Sequence, residues 1–416
     1  MTDLRSRQRA QLLDIYHSAL GAVEGRSCVA AYLRQHPIPA PVYVIAIGKA
    51  AASMAAGALD CLAANVAGAL VITRHGYGQE IAASYSGVRC IESGHPWPDE
   101  ASLEAGRVLL DFITAAPAAV SLLFLISGGA SSLVEVLPAE VSLAALRRTN
   151  RWLLSSGLPI HQMNQVRSAL SCIKGGRLIQ YLNGRPAWNL LISDVPGNDP
   201  AIIGSGLLVA APRHSTDIAV PLPGWLAKLM AGVSCPASPV TAKIPLSIES
   251  VLLADSSMAR LAAARSAKQL GYPAHLHPTL ISGDVLEVAR QLVAQLLEGA
   301  PGIHIWGGEA TVCLPPAPGR GGRCQSLALS VAQSLQNQPG LLLLAAGTDG
   351  SDGPEEVAGA LVDGATVTRG LRRGLEDTAC LARADAGSFL AASGDLLPGG
   401  VTGTNVMDLI LGLKSA

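Results

Sequence analysis

The stretch Val42-Tyr43-Val44-Ile45-Ala46-Ile47-Gly48-Lys49, with Ala50-Ala51-Ala52-Ser53-Met54-Ala55-Ala56 behind it, decides the fold. Val42, Val44, Ile45 and Ile47 are β-branched, and the run is too short for a buried helix. It reads as a strand covered on both faces. Gly48 ends the strand, and the Ala-rich stretch Ala50–Ala64 supplies a helix. The unit then recurs. Gly68–Thr73 ends in Arg74-His75-Gly76, Ser121–Ile126 in Ser127-Gly128-Gly129, and Trp188–Ser193 in Asp194. Helical stretches cover Glu104–Ala115 and Leu143–Ser156. Strand, glycine turn and helix in alternation predict an α/β fold with a doubly wound parallel sheet.

Upstream, Asp3 caps a first helix expected to reach Val23. Downstream, the texture changes between Pro212 and Pro245, where prolines also stand at 221, 223, 236 and 239 and only Trp225–Met230 has helical potential. A domain boundary is placed there, giving domains 1–240 and 241–416. The second half continues with a strand at Ile248–Ala254 and helices at Met258–Leu270 and Leu286–Leu297. Strands follow at Ile303–Trp306, ending in Gly307-Gly308-Glu309, and at Leu341–Ala345, which enters the loop Gly347-Thr348-Asp349-Gly350-Ser351-Asp352-Gly353.

Composition narrows the function. At 416 residues the chain has room for two or three domains. Hydrophobic residues make up 49% and aromatics only 4%, so the cores are built from Ala, Leu, Val and Ile. The net charge of −1 carries no basic excess for nucleic acid. The mean hydropathy of +0.36 raises the membrane question. The longest apolar runs, Ala118–Ile126 and Leu341–Ala346, fall well short of the roughly 20 residues a spanning helix needs. Met1–Gln8 is charged and does not read as a signal peptide. The eight cysteines are scattered without a C-x-x-C pair, which speaks against structural zinc and a disulfide framework. A cytoplasmic protein is expected, and a small anionic substrate would need a local positive site.

The polar residues worth weighing gather at strand ends, where open α/β sheets bind ligands. Lys49 is either an ammonium aimed at a phosphate or carboxylate, or a solvated lysine. Ser127-Gly128-Gly129-Ala130-Ser131-Ser132 is either an anion nest or an ordinary turn. Asn164 and Arg167 fall on one helix face with Ser171, and Lys174 follows; an arginine there can fork onto a carboxylate or phosphate, or simply cap a surface helix. Asp194, Asp349 and Asp352 can hold Mg²⁺ or shape turns, the second reading being strongest for Asp352. Arg320 and Arg323 sit in Gly319-Arg320-Gly321-Gly322-Arg323, a glycine loop that reads as a mobile clamp or as a solvated loop. His275 and His277 have no evident third ligand. No G-x-G-x-x-G follows a strand, no Walker lysine motif occurs, and no G-x-S-x-G elbow occurs.

Taken together, Ala46-Ile47-Gly48-Lys49-Ala50-Ala51, Ser93-Gly94-His95-Pro96-Trp97-Pro98-Asp99, Leu125-Ile126-Ser127-Gly128-Gly129-Ala130-Ser131, Asn164-Gln165-Val166-Arg167 with Lys174-Gly175-Gly176-Arg177, and Ser193-Asp194-Val195-Pro196-Gly197 resemble the glycerate 2-kinase family of the MOFRL type. So do Gly307-Gly308-Glu309, Gly322-Arg323-Cys324-Gln325, Gly347-Thr348-Asp349-Gly350 and Gly403-Thr404-Asn405-Val406. The resemblance runs in order over Ile45–Leu409. It implies an N-terminal Rossmann-like domain, a smaller C-terminal α/β domain and an active site in the cleft between them. It also implies ATP, Mg²⁺ and D-glycerate, with 2-phosphoglycerate as product. Lys49 and Arg323 take the family's catalytic positions, with Asp194 beside them as the metal carboxylate. Ser127, Gly128, Gly129, Ser131, Asn164, Arg167, Lys174, Glu309, Asp349 and Asn405 fall at substrate- or phosphate-binding positions. Partners would be the small-molecule substrates, with homo-oligomerisation left open. The alternatives are an NAD(P)H-dependent hydroxypyruvate reductase, against which the missing dinucleotide fingerprint speaks, a kinase of a related hydroxy acid, and a dead sugar-acid sensor. Three positions depart from the family pattern: Cys324 replaces an asparagine, Leu207 a proline, and Asp255-Ser256-Ser257 an asparagine-rich turn.

Overall fold

The structure, a computed structural model, describes residues 2–209, 220–234 and 248–415. The chain forms two compact units, 25–253 and 1–24 with 254–416. In the first, strands β1 (Val42–Ile47), β2 (Val66–Arg74), β3 (Val88–Ser93), β4 (Ser121–Ile126), β5 (Ala187–Ile192) and β6 (Glu249–Ala254) make one sheet in the order β3-β2-β1-β4-β5-β6. The ladders from β3 through β5 are parallel. The apolar runs are buried as expected: Ile45, Ile47, Leu122, Phe124 and Ile126 share a core with Leu109 and Ile113 of the helix Glu100–Ala115. Asp99 caps that helix by accepting the Ser102 N–H, and Ser102 Oγ accepts the Asp99 N–H in return.

The second unit holds a mixed sheet. Its strands are β7 (Ala274–Leu276), β8 (Ile281–Asp284), β9 (Gly302–Thr311), β10 (Leu341–Gly347), β11 (Val357–Asp363), β12 (Leu396–Pro398) and β13 (Asp408–Lys414). The order is β12-β11-β10-β13-β9-β7, with β8 also on β9. The ladders from β12 through β9 are antiparallel, while β7 and β8 run parallel to β9. Period-two geometry divides the run in β10: Leu343 and Ala345 face one core, and Leu342, Leu344 and Ala346 face the other.

The expected boundary at 240/241 is corrected at both ends. Leu12, Ile15 and Ala19, spaced along one face of the helix Thr2–Ala22, bury themselves against Ala263 and the strands of the second sheet, so the N-terminal segment belongs to that unit. Beyond residue 240, β6 completes the first sheet, so the first unit extends to residue 253. Much of the proline-rich segment at 212–245 lies outside the described residues. The sequence reading passed over the helix Gly25–Gln35 and β3. Among the described residues no helix is long and apolar enough to cross a membrane.

Candidate active site

In the first sheet the chain leaves β1 towards β2 and β3, and returns on the other side through β4 and β5. The carboxyl ends of β1 and β4 therefore flank the point where the winding reverses, which is where such sheets bind ligands. The two turns that follow these strands are locked together. Lys49 N–H donates to Gly128 O (2.9 Å), Ala50 N–H to Ser127 Oγ (3.0 Å), and Ser127 N–H to Ile47 O (3.0 Å). Gly48 has φ +134°, and a Cβ there would lie 2.1 Å from Ser127 Oγ, so only glycine permits the approach. Ser127 is fully buried and holds the turns together. Gly129 has φ +86°, and the position of its missing Cβ is 3.0 Å from His95 Cδ2 and 3.2 Å from Lys49 Cγ. The lysine stem and the imidazole thus both border this turn.

A pocket of about 180 Å³ opens beside Gly129, lined by His95, Pro96, Trp97, Ser131, Ser132, Asn150, Leu154, Arg167 and Lys174. Ser205 Oγ donates to Asn164 Oδ1 (3.2 Å), and Ser131 Oγ lies 2.7 Å from Ser205 Oγ. Arg167 donates to Asn164 Oδ1 (3.4 Å) and to Asn150 Oδ1 (3.3 Å). Burial lowers the pKa of Arg167. The helix carrying Asn164 and Arg167 spans Ile160–Ala169, so the expected helical alignment of Ser171 with them does not form. Lys174 is also placed differently from expectation. Its ammonium is buried in an ion pair with Glu135, whose other oxygen accepts from Ser171 Oγ (2.5 Å) and the Val136 N–H (3.0 Å). Asp194 stands half-buried just beyond β5.

The second unit carries a separate polar cluster around Arg323, the first residue of the helix Arg323–Ser334. Asp408 opens β13 opposite Gly308 of β9 and Gly347 of β10. It grips Arg323 with both oxygens, at 2.6 Å from Nε and 2.7 Å from Nη2, and Glu309 accepts from Nη2 at 2.6 Å. Burial opposes the arginine's charge, but Asp408 and Glu309 raise its pKa and keep it charged. Asp352 caps the same helix, accepting the N–H groups of Cys324 (3.0 Å) and Gln325 (2.8 Å). It does so from a position later in the chain than the helix. Burial lifts its carboxyl to about 6, against those two N–H bonds. Asp349 accepts the Ser351 N–H (3.0 Å), and Asn405 is buried in the turn before β13.

The glycine loop 319–322 is hydrogen-bonded to its neighbours. Gly319 N–H donates to Arg383 O, Arg320 N–H to Asp385, Gly387 N–H to Arg320 O, and the Arg320 guanidinium pairs with Glu355. Two of the departures from the family pattern, Cys324 and Leu207, are core residues. The reading of His275 and His277 missed His304, whose Nδ1 lies 3.1 Å from His277 Nε2. Among the described residues no three His, Cys, Asp or Glu side chains gather as metal ligands. Sequence reasoning also missed His95 as a pocket residue, along with Asn150, Ser205, Glu135 and Asp408. Two of them left a signal: His95 stands in the family stretch Ser93–Asp99, and Asp408 is a lone carboxylate opening the apolar run Leu409–Leu413.

Residues 11–223 match the model of a domain of unknown function, DUF4147, and residues 302–408 that of the MOFRL family. A D-glycerate 2-kinase from Thermotoga maritima is 33% identical, over 89% of this chain and 90% of its own. The chain belongs to the glycerate 2-kinase family of the MOFRL type. A crystal structure of glycerate kinase from Thermotoga maritima superposes with a TM-score of 0.82 at 30% identity, covering 98% of this chain and all of that one. A relative from Agrobacterium vitis, 35% identical over 98% of this chain and 94% of its own, carries a hydroxypyruvate reductase name only provisionally. The doubly wound parallel sheet with a separate mixed-sheet unit is the frame of this glycerate 2-kinase family member.

Proposed function

We propose that this chain transfers the γ-phosphoryl group of ATP to D-glycerate, at the 2-hydroxyl. The observation that carries the reading is the pairing of the Gly48-Lys49 turn with the Ser127–Gly129 turn at the winding reversal of the parallel sheet. In the reaction a lone pair of the acceptor hydroxyl forms the new P–O bond. The bond from the γ-phosphorus to its bridging oxygen breaks with its electrons, ADP leaves, and the hydroxyl proton is released. Lys49 supplies positive charge where the transferring group becomes most anionic, and the Gly128-Gly129 backbone lets phosphate oxygens approach closely. Arg323, which Asp408 and Glu309 hold charged in the second unit, takes the family's catalytic arginine position.

Mg²⁺, when bound, would neutralise phosphate charge, and we assign Asp194, just beyond β5, as the carboxylate that would hold it. A cation that keeps most of its waters and takes phosphate oxygens needs few protein ligands. The reductase alternative finds no support in the turn after β1, which reads Gly48-Lys49-Ala50-Ala51 and lacks the further glycines of a dinucleotide fold.

The deciding experiment measures ADP release from ATP, Mg²⁺ and D-glycerate, with the product's regiochemistry read by NMR and an EDTA arm alongside. ADP at the rate of an acceptor-free control, together with hydroxypyruvate-dependent oxidation of NAD(P)H, would defeat the reading. Undiminished activity in excess EDTA would remove the metal from it.

A further inference from the structure

We propose that Arg167 is the carboxylate receptor of the pocket beside Gly129 and so sets the enzyme's preference for a hydroxy acid over a neutral alcohol. The inference deepens the glycerate reading and rests on it. Three observations carry it.

The first is that this charge lacks a countercharge. Arg167 projects from the helix Ile160–Ala169, and among the described residues its hydrogen bonds go to the amide oxygens of Asn150 and Asn164, at 3.3 and 3.4 Å. Among the described residues no carboxylate pairs with it. Other arginines are better served: Arg323 is matched by Asp408, Arg369 by Asp363 and Asp395, and the buried Arg185 donates to four backbone carbonyls, those of Leu182, Ile113, Ala116 and Tyr181. A half-buried guanidinium left with two long amide contacts keeps donors available for a planar two-oxygen anion, the geometry its fork fits best. The second observation is that the neighbouring lysine cannot do this job, because Glu135 already neutralises Lys174 within the protein. The third is orientation and size. Asn164 Oδ1 accepts from both Ser205 Oγ and Arg167, and Ser205 is in turn bonded to Ser131 on the pocket wall, so the guanidinium is steered by a relay of neutral groups. The pocket's volume, about 180 Å³, lies below the roughly 300–1,000 Å³ usual for drug-sized ligands and suits an acid of a few carbons rather than a nucleotide.

The test uses the full chain as wild type, Arg167→Met and Arg167→Lys. Calorimetry gives D-glycerate and ATP affinities separately, and kinetics compare D-glycerate with its uncharged amide, D-glyceramide. Arg167→Met should weaken D-glycerate binding by about 100-fold, within the range seen when one partner of a charge pair is removed. It should leave ATP affinity within about threefold of wild type and lower the kcat/KM for the amide far less than that for the acid. Arg167→Lys keeps the charge without the fork and should fall between, with KM for D-glycerate raised more than kcat is lowered. Wild-type D-glycerate affinity in Arg167→Met overturns the inference. So does ATP affinity lost with D-glycerate affinity intact, which would make Arg167 a phosphate ligand. So does equal loss with acid and amide in a folded Arg167→Lys, which would make the role structural. A wild-type chain that binds D-glycerate but transfers no phosphate to it defeats the function reading alone, because the calorimetric arm still reads the subsite.

Discussion

Replacing Lys174 with methionine separates two roles that the sequence could not separate. The side chains of Lys174 and Glu135 are only 3% and 1% exposed, so Lys174→Met leaves a buried carboxylate without its cation. Two neutral donors, Ser171 Oγ and the Val136 N–H, would remain on that carboxylate. Breaking a buried pair from one side costs roughly 3–5 kcal/mol, and the remaining donors place the expectation near the lower end, about 3 kcal/mol. In the double variant Glu135→Gln/Lys174→Met, the glutamine oxygen keeps the Ser171 and Val136 bonds and no charge is stranded. Its loss should fall to about 1 kcal/mol, a recovery of about 2 kcal/mol against the single change. Urea unfolding followed by tryptophan fluorescence reads this unit well, because Trp97, Trp152, Trp188 and Trp225 all lie in it and Trp306 alone lies in the other. Kinetics then decide the role. If the pair is structural, the double variant regains both stability and KM for D-glycerate. If stability returns while KM stays raised, Lys174 itself contacts substrate. A loss under 1 kcal/mol in the single variant would refute the buried-charge argument altogether.

Lys49→Ala should keep the fold and lose orders of magnitude in turnover, since its charge acts as the phosphoryl group passes; near-normal turnover in a folded variant would remove Lys49 from the mechanism. Arg323→Lys should lose turnover far more than ATP affinity, because the lysine cannot reproduce the fork that Asp408 grips with both oxygens; weakened ATP binding at full saturated turnover would make Arg323 a nucleotide contact instead. His277, depressed to about 4 by burial and by His304 and His275, stays neutral in the fold while the unfolded chain protonates near 6.5. Its contribution to stability is therefore complete above 6.5 and is lost as pH falls towards 4. His277→Asn should flatten that slope in acid denaturation, and an unchanged slope would clear the histidine stack.

The first sheet was legible because parallel strands buried on both faces leave uninterrupted apolar runs, and Val42–Ile47, Ser121–Ile126 and the strand before Asp194 are of that kind. Strand β3, Val88–Ser93, was not legible: its Arg89 and Glu92 break the apolar run, as an edge position allows. The helix Thr2–Ala22 was legible as a helix but not in its allegiance, because an apolar face states that it is buried and not against what. Boundary reasoning from prolines failed at 240/241 for a similar reason. Prolines interrupt local structure, whereas a unit is defined by strand pairing, and β6 pairs back to β5 from beyond that segment.

At the site, the sequence displayed cations and withheld their countercharges. Lys174, Arg320, Arg323 and Arg167 look alike as basic residues beside glycines or helix ends, yet the fold gives them different electrostatic lives. Glu135, placed 39 residues before Lys174, cancels it in the interior. Asp408, placed 85 residues after Arg323, and Glu309 hold that arginine charged and oriented but engage its fork. Glu355 ties down Arg320 on the surface, where such a pair contributes little stability. Among the described residues, Arg167 alone of these four is met by amide oxygens and no carboxylate. The cost of half-burying its charge is therefore left open in the protein, and a substrate carboxylate can close it. A ligand that brings the missing countercharge gains the interaction that the fold has left unmade, whereas one arriving at Arg323 must compete with two carboxylates already in place. This asymmetry is why the acid group of the acceptor is assigned to Arg167 and the developing charge of the phosphoryl group to the neighbourhood of Lys49 and the Gly128-Gly129 turn.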